Sequence, residues 1–165
     1  AAAESHFVQE CVEFFPGNLY MAQAIFDDAQ QQKAVFASRS IRTAYDWGGP
    51  ALGGVPVRNQ RLAELASQIF QATGPWFGPV NTEFLYDTAR EEFIFLEVNP
   101  RYWGYSYLAT AAGVNFPDIT VRLALGEEVE AVTDYRMDVF TMTSREQLSF
   151  LQSELMTDIP GGDLP

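Results

Sequence analysis

Cations are scarce in this chain of 165 residues. Lysine occurs once, as Lys33, and ten Lys and Arg stand against 22 Asp and Glu, for a net charge of −12. Nucleic acids and anionic membrane surfaces are bound through clustered basic side chains, so the composition argues against both as partners. Cysteine also occurs once, as Cys11, so no internal disulfide can form. Its apolar surroundings read as a strand and imply a buried, inert thiol rather than a nucleophile. The single histidine, His6, has no second His or Cys to make a zinc site. No apolar run approaches the length of a membrane-spanning helix, and no secretory signal opens the sequence, so a cytoplasmic location is expected. The first residues read as the end of an element whose beginning is absent. There is no internal repeat.

Apolar material is plentiful: hydrophobic residues make up 47% and aromatics 14%, enough for the packed core of one domain. The most informative stretch begins at Glu92. Phe93, Ile94, Phe95 and Leu96 form a run of aromatic and aliphatic residues that reads as a strand. The strand ends in Glu97-Val-Asn99-Pro-Arg101, and Pro100 stops the ladder because it has no N–H to donate. Side chains alternate across a strand, so Glu97, Asn99 and Arg101 are expected on one face. A carboxylate and an amide oxygen are hard ligands suited to Mg²⁺, and arginine offers a planar fork for phosphate oxygens. Residues 78–86 alternate as a second strand, and residues 87–91 read as a turn. The resulting hairpin would set Glu83 beside Glu97 and complete a two-carboxylate, one-amide set for a Mg–nucleotide site.

Elsewhere the pattern predicts a strand over 7–13, a Pro-Gly turn, and further strands over 19–26 and 32–41. Together they suggest an antiparallel meander. Arg39 and Arg42 stand out in so acidic a chain, either as ligands of a phosphate or anionic substrate or as partners of surface carboxylates. Gly48, Gly49, Gly53 and Gly54 lie in a stretch read as a flexible loop. No Lys-Ser/Thr follows them, so it is not a phosphate loop of the Walker type. Helical spacing predicts a helix over 57–73 that ends at Gly74-Pro75, with Leu62, Leu65, Ala66, Ile69 and Phe70 as core. Two more helices are expected over 106–112 and 116–125, with Pro117 in the first turn of the second and Gly126 at its end. A strand over 135–142 and a last helix capped by Ser144 and Gln147 complete the reading.

The hairpin resembles the magnesium-binding hairpin of the ATP-grasp superfamily, among its carbamoyl-phosphate-synthetase-like and amino-acid-ligase-like members. The residues that carry the likeness are Glu83, Glu97-Val-Asn99-Pro-Arg101, the small-residue segment up to Gly113, and Gly113-Val-Asn-Phe-Pro117. The resemblance covers residues 7–126, the second lobe of an ATP-grasp domain. Residues 1–6 would be a remnant of a preceding element and 127–165 a strand–helix extension and tail. It implies an α+β fold, a mainly antiparallel sheet with helices packed on one face. It implies metal ligation by Glu83, Glu97 and Asn99 and a catalytic Arg101. By the same resemblance the backbone of Gln9, Glu10, Cys11 and Val12 would form the adenine-binding hinge, while Arg39 and Arg42 are counted with the nucleotide site on their scarcity as cations and not on the likeness. The cofactors would be ATP and Mg²⁺, with Mn²⁺ as a substitute. The reaction would activate a small-molecule carboxylate as an acyl phosphate, for attack by an amine or other nucleophile. The missing N-terminal lobe, with its lysines and glycine-rich loop, would be the partner of this one. Two other readings compete. A carboxylate-pair hydrolase would use Glu83 and Glu97 as acid and base, and a degenerate lobe would serve binding or assembly without catalysis.

Overall fold

The computed structural model describes residues 8–45 and 48–144. Six strands form one antiparallel sheet: β1 (Leu19–Phe26), β2 (Gln32–Tyr45), β3 (Gly48–Pro56), β4 (Gly78–Asp87), β5 (Glu92–Asn99) and β6 (Thr141–Met142). Their order across the sheet is β5-β4-β1-β2-β3-β6. Among the described residues three full helices accompany them: α1 (Gln60–Thr73), α2 (Tyr107–Ala111) and α3 (Phe116–Ala124). The molecule is therefore the mainly antiparallel α+β lobe that the sequence led us to expect.

The helices divide between the two faces of the sheet rather than gathering on one. Strand alternation explains the division. Ala22 and Ala24 of β1 face one way with Ala37, Val80 and Phe84, and α1 covers them with Leu62, Ala66 and Phe70. Leu19, Met21 and Ile25 face the other way, into a larger core with Phe36, Trp103, Leu108, Phe116 and Ile119 from the α2–α3 region. Both faces of the central strand are apolar, so neither can be left to water. The α1 side is built on alanines, which brings the helix close. The α2–α3 side is filled by aromatic rings, with Trp103 stacked on Phe36 and edge-on to Phe116.

Helix α1 starts three residues later than the periodicity suggested. The Asn59 side chain accepts from the Leu62 N–H at 2.9 Å and caps it there. Val57, ahead of the cap, keeps its backbone in the sheet, donating to the Ala37 carbonyl. Helix α3 begins at an Asn115 cap with Pro117 in its first turn, and Gly126 beyond its end has φ +74.

Four expectations fail. Residues 8–15 form no strand, since no strand in the described chain pairs with them and an extended segment without a partner is only coil. Cys11 is consequently exposed rather than buried. The strand expected over 135–142 shrinks to Thr141–Met142, at the sheet edge. The glycine-rich stretch is not a loop: it is β3, paired with β2 along most of its length. Its glycines are needed for closeness. A Cβ on Gly54 would lie 2.7 Å from the Tyr105 ring, and one on Gly53 would lie 2.8 Å from the Thr141 carbonyl oxygen. Gly54 thus lets the Tyr105 ring approach β3 closely, and Gly53 lets β6 dock. Of the last helix only Ser144 lies within the described residues.

Candidate metal centre

The β4–β5 hairpin is set by its turn and by one irregularity. At the turn the Asp87 carboxylate accepts from the backbone N–H groups of Ala89 and Arg90, and Glu91 takes a positive φ. From there Phe93 and Phe95 lie on the α1 side, against Tyr86 and Phe84. The pairing then slips by one residue: Phe84 faces Phe95, but Glu83 faces Glu97. The extra residue is Leu96, a β-bulge that turns over the parity of the strand. Glu97 and Asn99 therefore emerge opposite Phe93 and Phe95, on the same face as Glu83.

Two rows of side chains result. Gln23, Asn81 and Asn99 stand abreast on β1, β4 and β5, and Met21, Glu83 and Glu97 form the next row. The Asn99 Nδ2 group donates to Glu83 Oε1 at 3.1 Å and to Glu97 Oε1 at 2.7 Å. Asn81 Nδ2 donates to the same Glu83 oxygen at 3.1 Å. Burial raises the Glu83 carboxyl above its ordinary range, and the charge of Glu97 adds to the rise. Arg101 and the two asparagine donors oppose it. Arg101 follows the strand end, with its N–H on the Asn99 carbonyl and its guanidinium on the Tyr102 carbonyl.

This donor set fits a hard divalent cation. Two carboxylates meet at one point with an amide between them, and what holds them together is the partial positive charge of the Asn99 amino group. Oxygen ligands of this kind suit Mg²⁺, which is usually held by one or two carboxylates with water and phosphate completing the shell. The described residues hold no cluster of three His, Cys, Asp or Glu, so a site built on thiolate or imidazole is not present among them.

The structure thus brings Glu83, Glu97, Asn99 and Arg101 together. It does not bring the other sequence candidates to them. Gln9, Glu10 and Cys11 are exposed coil, and Val12 is half-buried against the larger core. Glu10 pairs with Arg90 at the far, turn end of the hairpin. Arg39 lies in register with Tyr20 and Val55, on the α1 side of the sheet, opposite the carboxylates. Arg42 is paired with Gly53, between two irregularities of the β2–β3 ladder and not in the β4–β5 hairpin. Sequence reasoning missed Gln23 and Asn81. Each is a polar residue inside an apolar strand, and that anomaly was the available signal.

Among the described residues no helix is long and apolar enough to cross a membrane. Residues 52–146 match the model of a family described as ATP-grasp in the biosynthetic pathway with Ter operon, and the chain belongs to that family. Solved structures agree on the fold. The chain is similar to biotin carboxylase from Campylobacter jejuni, solved with β,γ-ATP, at 17% identity and a TM-score of 0.62, covering 80% of this chain and 30% of that one. It is similar to N5-carboxyaminoimidazole synthetase from Staphylococcus aureus, solved with ADP, at 14% identity and a TM-score of 0.58, covering 76% and 34%. It also resembles the biotin carboxylase domain of 2-oxoglutarate carboxylase from Hydrogenobacter thermophilus, solved with MgADP and bicarbonate, at 17% identity and a TM-score of 0.55, covering 74% and 28%. The chain spans about a third of the length of these structures. No protein of curated function matches the sequence.

Proposed function

We propose that this chain is the metal-binding lobe of an ATP-dependent ligase that joins a small-molecule carboxylate to an amine or another nucleophile. Family membership supports the class, and the neighbours solved with ADP and MgADP support the ligand. The observation that carries the reading is the meeting of Glu83 and Glu97 around Asn99 on one face of the hairpin.

Each residue has a distinct task. Glu83, Glu97 and Asn99 would hold Mg²⁺, and Mn²⁺ could replace it. The bound ion supplies charge neutralisation to phosphoryl oxygens, on which transfer of this kind mainly depends. Glu83 is half-buried and its Oε1 is held by two amide donors, so that oxygen is fixed in place. Glu97 is exposed and reaches outward, toward the side from which phosphates would arrive. Arg101 would present its fork to a phosphate or carboxylate oxygen on which charge develops. No general base is required of the chain, because the work is positioning and electrostatics. The phosphates would be held from the other side by a preceding lobe of the same protein, so this chain alone should bind Mg–ATP weakly.

The test is phosphate release by the full-length protein, screened over amino acids and other small carboxylates with and without amines. One such pair should stimulate ATP-dependent release, and Glu97→Gln should abolish it with the circular dichroism spectrum unchanged. Near-normal turnover of a folded Glu97→Gln at saturating Mg²⁺ would overturn the proposal.

A further inference from the structure

The polar groups behind the carboxylates are not surface residues. Gln23 and Asn81 are both fully buried, as is Ser38 on the next strand. Gln23 Nε2 donates to Asn81 Oδ1 at 2.9 Å and approaches Ser38 Oγ at 3.5 Å. Ser38 Oγ in turn lies 3.5 Å from the hydroxyl of buried Tyr105. Asn81 then passes the direction on, with its Nδ2 on Glu83. The other end of the Gln23 amide, Oε1, is buried and has no partner.

A buried amide with half its hydrogen bonding unmet is costly to keep for packing alone, since an apolar side chain of the same length would fill the space without the loss. Its value lies in direction. An amide has a donor end and an acceptor end. The donor end of Gln23 holds the acceptor end of Asn81, so the Asn81 amino group must face Glu83. Were the Asn81 amide reversed, its oxygen would meet a carboxylate oxygen. The chain therefore fixes the rotamer of Glu83 from below, where no solvent or ligand can reach.

We propose that Gln23 and Asn81 are positioning residues for the carboxylate centre, holding the half-buried Glu83 in the orientation that lets it share a divalent cation with Glu97 and Asn99. This rests on the metal reading of the site given above. Neither residue touches the ion; they act on it through Glu83, as outer-shell donors commonly do through a ligating carboxylate.

The test is Mn²⁺ binding to the full-length protein, followed by electron paramagnetic resonance, alongside thermal unfolding in metal-free buffer. Gln23→Met keeps the length and volume of the side chain and removes its donor. The expected result is a loss of Mn²⁺ affinity of roughly tenfold or more, with the melting temperature close to that of wild type. Wild-type Mn²⁺ affinity in Gln23→Met overturns the proposal. So does a fall in affinity matched by a large fall in melting temperature, which marks a merely structural residue. If Gln23→Met does not fold, Asn81→Leu reads the same two quantities one link closer to Glu83, with the same expectation. Glu97→Gln is the control that separates the two levels of the argument. If it loses Mn²⁺ while Gln23→Met and Asn81→Leu keep it, positioning falls and the metal centre stands. If it binds Mn²⁺ like wild type, both fall.

Discussion

Replacing Glu83 by Gln should stabilise this lobe while disabling it. Glu83 Oε1 and Glu97 Oε1 share the Asn99 amino group at 3.1 and 2.7 Å, so the two oxygens lie within about 6 Å of each other. At about 5 Å and an effective dielectric near 20, two unit charges repel by about 3 kcal/mol. Glu97 is exposed, which screens part of this, and Arg101 and the asparagine donors offset more. What remains is on the order of 1 kcal/mol. Burial of the Glu83 charge acts in the same direction and is the larger cause of its raised carboxyl. A group held ionised at neutral pH above its ordinary range costs the fold stability, and a neutral isostere removes that cost. Glutamine keeps an oxygen for Asn81 and Asn99, so the hydrogen bonds survive. In metal-free buffer at neutral pH, Glu83→Gln should therefore raise the melting temperature by a few degrees, since 1 kcal/mol corresponds to about 2–4 °C in a chain of this size. Mg²⁺ should reverse the order, raising the melting temperature of wild type and leaving the variant unmoved. Differential scanning fluorimetry over a Mg²⁺ series, with a Ca²⁺-free chelated baseline, reads both effects. A variant that melts below wild type without metal, or one that gains from Mg²⁺ as wild type does, would show that the carboxylates are not strained against each other for the sake of a cation.

Three further outcomes are expected from particular contacts. Gly54→Ala should cost about 1–3 kcal/mol in urea unfolding, because its Cβ would meet a fully buried Tyr105 ring that has nowhere to move; a Tyr105→Leu background should shrink that cost, and an unchanged midpoint would deny the close approach. Asn59→Ala should cost about 1 kcal/mol through loss of the α1 cap, read by chemical denaturation, with Asn59→Asp or Asn59→Ser restoring most of it. Arg101→Lys should keep the fold by circular dichroism but lose ATP-dependent turnover of the full-length protein, since an ammonium cannot replace a planar fork; turnover within twofold of wild type would remove Arg101 from the reaction.

The sequence was most legible where local pattern and final contacts agree. β1 has the bounds that its apolar run suggests, and the Glu83–Glu97 pairing arises from two strands and a turn that Asp87 itself closes. Legibility ended where a residue's role depends on something distant in the chain. Glycine in β3 looks the same locally whether it serves a loop or makes room, and only Tyr105 decides which. Residues 7–13 carry a strand-like pattern, but a pattern does not supply a neighbour to bond with. Arg39 and Arg42 were placed near the phosphates by scarcity of charge alone, and the register of β2 turns Arg39 to the other side of the sheet. Gln23 and Asn81 needed the register of three strands before their common row could be seen.

The bulge at Leu96 has a consequence for how this hairpin can change over time. The first half of β5 sets aromatic rings on the α1 side, and the second half shows polar groups to the opposite side, with one unpaired residue as the switch between them. Loss of Leu96 would let Glu97 follow Phe95 directly and still stand across from Glu83, so a strand shortened by this one residue keeps its ligands on the same face. Straightening the strand with Leu96 retained would instead pair Leu96 with Glu83 and turn Glu97 and Asn99 toward α1. A lineage can therefore shed the odd residue and keep the chemistry, whereas one that irons out the bulge gives the chemistry up even with every ligand still spelled out in its sequence.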